Sequence, residues 1–138
     1  MIKSFFKKKN VANSSEESVL IAALLIHAAK MDENYTIEEK KIIEQAMTKL
    51  TGKNSTEISE IIVSAEKKEA EENQIVNFTR EIKKKDTDFR KKVIDILWKI
   101  ILSDGKSDMY ESNLMRRVCG LLYVSDRESG EIKLKNKI

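Results

Sequence analysis

Two stretches of this chain, Val19 to Ala29 and Phe89 to Leu102, are apolar at most positions, and each is followed by a polar turn and then by a segment whose apolar residues return every three or four positions. In the second stretch Val93, Ile94, Ile96, Leu97, Trp98, Ile100, Ile101 and Leu102 cover most of a helical circumference, which predicts a helix buried on nearly every side. The Val19 to Ala29 stretch has the same character and predicts a second central helix. It contains His27 and falls well short of the roughly 20 apolar residues that cross a bilayer.

Boundaries follow from caps and turn residues. Ser14 or Ser15, with Glu16 and Glu17 behind it, opens the first helix, which runs to about Lys30. Thr36 with Glu39 reads as a capping box, and Gly52 as the left-handed end of a second helix. Ser55 or Thr56 opens a third helix through Ile58, Ile61, Ile62 and Ala65; the charged stretch 66–72 either ends it or extends it as an exposed arm. Ile75 to Ile82 makes a short fourth helix closed by Lys83, Lys84 and Lys85, and Asp86 starts the fifth. A sixth runs from Asp108 to about Tyr123, and a last, less apolar one from Asp126 towards Leu134. The expectation is an all-α single-domain bundle of about seven helices over residues 15–138, preceded by a flexible basic tail at 1–14.

The two halves keep one register. Asp104 follows Asp32, and Glu111 follows Glu39, by the same 72 residues (104 − 32 and 111 − 39). The apolar positions Ile42, Ile43, Ala46 and Leu50 meet Leu114, Met115, Val118 and Leu122 at that offset. An internal pseudo-twofold repeat is therefore expected, with the two apolar helices as its paired centre.

Composition narrows the function more than the fold. With 138 residues, no proline and four glycines, the chain suits one helical core and lacks the turn residues of hairpins. Its 26 basic and 23 acidic residues leave a net charge of +3, too balanced for the basic stripe that binds nucleic acid. A lone Cys119 on a helix points to a buried thiol and a reducing compartment, and the expected location is the cytoplasm. Phe5 and Phe6 beside Lys7, Lys8 and Lys9 give the tail a means of weak peripheral membrane contact; a solvated tail is the simpler reading.

Few residues offer chemistry. His27 is the only histidine, which excludes a His pair for zinc and favours a hydrogen-bonded core residue. No glycine-rich phosphate loop occurs, and no serine or cysteine has a base at recognisable spacing, so no enzyme is indicated. The Lys and Glu clusters between Glu66 and Lys92 read as a solvated face. The acidic turns remain. Each spans eight residues from first acid to last, too short for an EF-hand loop. Glu39 and Glu111 sit where capping glutamates sit, but Asp32 and Asp104 would follow a helix C-terminus, where an anion is unfavourable unless it makes an Asx-turn or meets a cation. Asp32, Glu39, Asp104 and Glu111 are thus candidate ligands for a divalent metal ion, and all-carboxylate ligands select a hard ion such as Ca²⁺. The alternative is that the turns only cap helices.

The repeated order of apolar helix, Asp with a small or polar follower, and Glu seven positions on, clearest from Ser103-Asp104-Gly105 to Glu111, resembles the tellurite-resistance TerB-like family over roughly residues 15 to 135. The resemblance implies an all-helical bacterial cytoplasmic domain whose acidic residues bind divalent metal, here Asp32, Glu39, Asp104 and Glu111. It implies a non-enzymatic interaction module with a protein partner in a stress or tellurite-resistance-related response. The first turn departs from the pattern in carrying Glu33 where the second carries Gly105. A metal-independent scaffold for protein–protein interaction is the competing expectation.

Overall fold

The computed structural model describes residues 15–32, 35–72, 74–103 and 109–137, without the side chains of Ser15, Asp32 and residues 109–111. The expected tail at 1–14 lies outside these residues. Seven α-helices account for nearly all of what is described: α1 (Ser15–Ala29), α2 (Ile37–Thr51), α3 (Ser55–Glu71), α4 (Ile75–Thr79), α5 (Thr87–Leu102), α6 (Met109–Leu122) and α7 (Asp126–Lys137), with 3₁₀ turns at Lys30–Asp32 and Ile82–Lys84. No strand occurs among the described residues, and the fold is the all-α bundle that the apolar periodicity predicts.

The centre of the bundle is α1. Every residue from Leu20 to Ile26 is buried, and since seven residues make nearly two helical turns, no side of that helix faces water. It packs on α2, α3, α4 and α5. The second central helix, α5, packs on α1, α2, α6 and α7, and buries Val93, Ile94, Ile96, Leu97, Trp98, Ile100 and Ile101. Burying side chains of this size contributes about 1.5–3 kcal/mol each, so the two helices supply a large share of what stabilises the fold.

Local signals place the boundaries. Thr36, Asn54 and Asp86 cap α2, α3 and α5 through side-chain oxygens that accept the backbone N–H three residues on. Gly52 ends α2 at φ +71°, a left-handed conformation that costs glycine nothing. The charged stretch 66–72 extends α3 to Glu71, and the fourth segment breaks after Thr79 into a 3₁₀ turn. Last comes α7, which buries only Ser129 and holds on largely by polar links. Trp98 Nε1–H donates to Ser129 Oγ at 3.0 Å, Asn136 Nδ2 to Asp95 Oδ1 at 2.7 Å, and Lys91 Nζ pairs with Glu128 Oε2 at 2.7 Å. Lys133 Nζ also stands 4.8 Å from the centre of the Trp98 ring, a favourable cation–π placement.

The 72-residue spacing can be followed in the buried positions. At that spacing buried Ile43, Ala46, Met47 and Leu50 correspond to buried Met115, Val118, Cys119 and Leu122. The register fades in the third pair. Helix α7 starts 71 residues after α3 (126 − 55), and Leu134, the counterpart of buried Ile62, is 63% exposed.

Candidate functional site

The first acidic turn begins where α1 tightens into the 3₁₀ turn Lys30–Asp32 and ends in the first turn of α2. Glu39 Oε1 accepts from Thr36 N at 2.9 Å and from Thr36 Oγ1 at 3.1 Å, while Glu39 N donates to Thr36 Oγ1 at 3.1 Å. This is a full capping box. The same device recurs at Asn54 with Glu57 and at Ser125 with Glu128. Glu39 nevertheless differs from those two, because it is only 5% exposed, whereas Glu57 is exposed and Glu128 half-buried. Capping does not require burial, so the two properties coincide only at this turn.

Three polar links fasten this turn to α3. Lys30 Nζ donates to Glu69 Oε1 at 2.8 Å, Tyr35 Oη–H to Glu66 Oε2 at 3.0 Å, and Lys40 Nζ lies 3.4 Å from Glu66 Oε2. His27, on the last turn of α1, donates from Nδ1 to Glu69 Oε2 at 3.0 Å, since a carboxylate can only accept. Burial alone would raise the carboxyl of Glu69, but the hydrogen bonds from Lys30 and His27 outweigh it and hold the group below its ordinary 4.5. Around the Tyr35 hydroxyl the balance goes the other way. Burial first, then its bond to Glu66 and the charges of Glu66, Glu44 and Glu39, push its pKa well above 10.

Of the four candidate ligands, Glu39 is placed in full. Asp32 closes the 3₁₀ turn and Glu111 lies in the first turns of α6, but their side chains, and all of Asp104, fall outside the described residues. Among the described residues no three His, Cys, Asp or Glu side chains cluster as metal ligands. No described helix is long and apolar enough to cross a membrane.

A family model, that of the tellurite resistance protein TerB, matches residues 18–134. The chain belongs to the TerB family. The match runs from within α1 to within α7 and takes in every helix between them. No curated protein and no solved structure matches the chain.

Sequence reasoning missed the links from the first TerB turn to α3. The stretch from Glu66 onward reads as solvated, yet Glu69 is buried and Glu66 is engaged by both Tyr35 and Lys40. A signal was present. Ile58, Ile62, Ala65 and Glu69 follow at spacings of four, three and four, so Glu69 extends the apolar stripe of α3 towards α1, where the only histidine lies. Lys85, expected to favour only its own helix end, is also drawn in, with Nζ 2.6 Å from Glu17 Oε1.

Proposed function

We propose that this TerB-family chain is a non-enzymatic helical domain that binds a divalent cation, most readily Ca²⁺, through Asp32, Glu39, Asp104 and Glu111. In this reading it is a cytoplasmic interaction module in a bacterial stress or tellurite-resistance-related response, with its basic tail available for weak membrane contact. The observation that carries the cation is the burial of Glu39. Two other glutamates cap helices in the same way without being buried, so Glu39 alone of the three combines a cap with a buried carboxylate at an acidic turn. Buried positions of α2 and α6 that match at the 72-residue offset support a duplication, in which Asp104 and Glu111 take the places of Asp32 and Glu39. Carboxylate oxygens without sulfur or paired imidazole favour a hard ion.

The test is thermal unfolding with Ca²⁺. A ligand at a hundredfold excess over its Kd stabilises by ~2.7 kcal/mol, on the order of 10 °C for a domain of this size. Asp104→Asn and Glu111→Gln should abolish the response, and Asp32→Asn and Glu39→Gln reduce it, because Gly105 lets the second turn wrap an ion at less cost than Glu33 allows in the first. No shift with millimolar Ca²⁺, Mg²⁺ or Mn²⁺ would end the cation reading. The metal-independent scaffold is favoured by one observation of its own: the first turn is already capped and fastened to α3 by Lys30, Tyr35 and Lys40.

A further inference from the structure

A groove of about 670 Å³ lies between α2 and α5, with Asn136 of α7 at its edge. Its base is apolar, made by Ile42, Ala46 and Leu50 from one helix and Phe89, Ile96 and Leu102 from the other. Its rim is basic. Lys49 stands on one wall, and Lys92 and Lys99 on the other, against a single acid, Asp95. Lys49 and Lys92 are exposed and make no ion pair among the described residues. Asp95 is already shared, with Oδ2 3.1 Å from Lys99 Nζ and Oδ1 accepting from Asn136. The groove therefore presents excess positive charge along an apolar floor.

We propose that this groove docks an acidic amphipathic helix of a partner protein. The shape argues for a helix. The α5 wall runs from Phe89 to Ser103, about 21 Å at 1.5 Å per residue, and both walls are themselves helices, so a third helix of four turns can lie between them. The charge decides which helix. Glutamates flanking an apolar stripe would meet lysines on both rims. The chain's own tail cannot serve, because Lys3, Lys7, Lys8 and Lys9 give it the wrong sign without a compensating acid before Ser14. A second copy of the groove would set lysine against lysine. A fatty acid has one carboxylate at one end, whereas the lysines stand along both sides. The proposal rests on the interaction-module part of the reading above and not on the cation.

The experiment uses a fluorescein-labelled 16-residue peptide with leucines at helical spacing and flanking glutamates, and a twin with lysine for each glutamate. Polarisation is measured in EDTA and again in Ca²⁺. The acidic peptide should bind saturably, and the basic twin and the doubly reversed protein Lys49→Glu/Lys92→Glu should each weaken binding at least about tenfold, since rim charges set encounter and partner choice. Amide chemical shifts should move at Gln45, Lys49, Lys92 and Lys99. The proposal is overturned by absence of binding, by equal affinity for both peptides, by insensitivity to the double reversal, or by shifts mapping elsewhere. It is also overturned if phosphatidylglycerol vesicles or self-association in sedimentation depend on the two lysines while the peptide does not bind. Peptide binding without any Ca²⁺ shift in melting temperature would leave this inference standing and remove only the cation.

Discussion

Replacing Glu69 by Gln tests whether the polar node between α1 and α3 stabilises the fold. The side chain is 7% exposed and accepts from two donors, His27 Nδ1 and Lys30 Nζ. Glutamine keeps the shape and one acceptor but loses the charge, so one contact survives in weakened form and at the other its amide N–H₂ faces a donor. Each charge-assisted bond contributes about 1.5–3 kcal/mol and each neutral one about 1. Lys30 is 43% exposed and recovers water when the carboxylate goes, which lowers the loss. We expect a net cost of ~2 kcal/mol, or roughly 6 °C in melting temperature. Urea unfolding at pH 7, followed by circular dichroism, reads it directly. The pH dependence supplies a second check. Because the folded carboxyl lies below 4.5, its contribution is complete above that value and disappears as pH falls through the folded pKa. The gap between wild type and variant should hold from pH 7 to about 5.5 and close below 4.5. A Gln variant within 0.5 kcal/mol of wild type, an estimate set near the usual scatter of surface substitutions, would refute the reasoning, as would a gap unchanged down to pH 3, roughly a unit and a half below the ordinary carboxyl.

Two further outcomes follow from α7. Ser129→Ala leaves the buried indole N–H of Trp98 without its acceptor and should cost about 1–2 kcal/mol in denaturant unfolding; native tryptophan emission should be blue-shifted in the wild type, and emission at the solvent-exposed wavelength would contradict the burial. Glu128 has its carboxyl pulled down to about 2 by the Lys91 hydrogen bond and then by the backbone and hydroxyl of Ser125; its side-chain carbon should titrate near that value by NMR and move towards 4.5 in Lys91→Ala, and no movement would show that the cap alone is responsible.

The bundle was legible because burial leaves a periodic trace. Helix α5 announces itself by apolar residues on every face, and α2 by Ile43, Ala46 and Leu50 on one face. Caps were legible for a similar reason, since Thr36 and Glu39 sit three residues apart whatever surrounds them. What escaped were long-range polar pairs. Glu69 looks like any other residue of an acidic run until α1 brings His27 and Lys30 against it from about forty positions away, the separations being 42 and 39 residues. The groove escaped too, because Lys49 and Lys92 come together only through the packing of α2 on α5. The length of α7 was underestimated, as a helix held by Trp98, Asp95 and Lys91 needs little apolar periodicity of its own.

The difference between the two acidic turns follows from what surrounds each in sequence. The first carries its own cations, Lys30 and Lys40, and α3 offers Glu66 and Glu69 to receive them. At the 72-residue offset those lysines become Leu102 and Ser112, and Tyr35 becomes Ser107. The second turn thus keeps the carboxylates, Asp104 and Glu111, without a lysine or tyrosine at the places of Lys30, Tyr35 and Lys40. An ion supplied from solution would compensate there the charge that lysines compensate in the first turn. Ser112 is exposed, so Ser112→Lys installs the missing cation without disturbing the core. A lysine within ~6 Å of an ion site disfavours a divalent cation by about 1–2 kcal/mol at a partly solvated position, and should weaken Ca²⁺ binding by roughly tenfold. The Ca²⁺-induced rise in melting temperature should shrink at fixed concentration, while the apo protein holds or gains stability. An undiminished rise in Ser112→Lys, together with a larger rise in Lys40→Ser, would place the ion at the first turn and reverse the assignment.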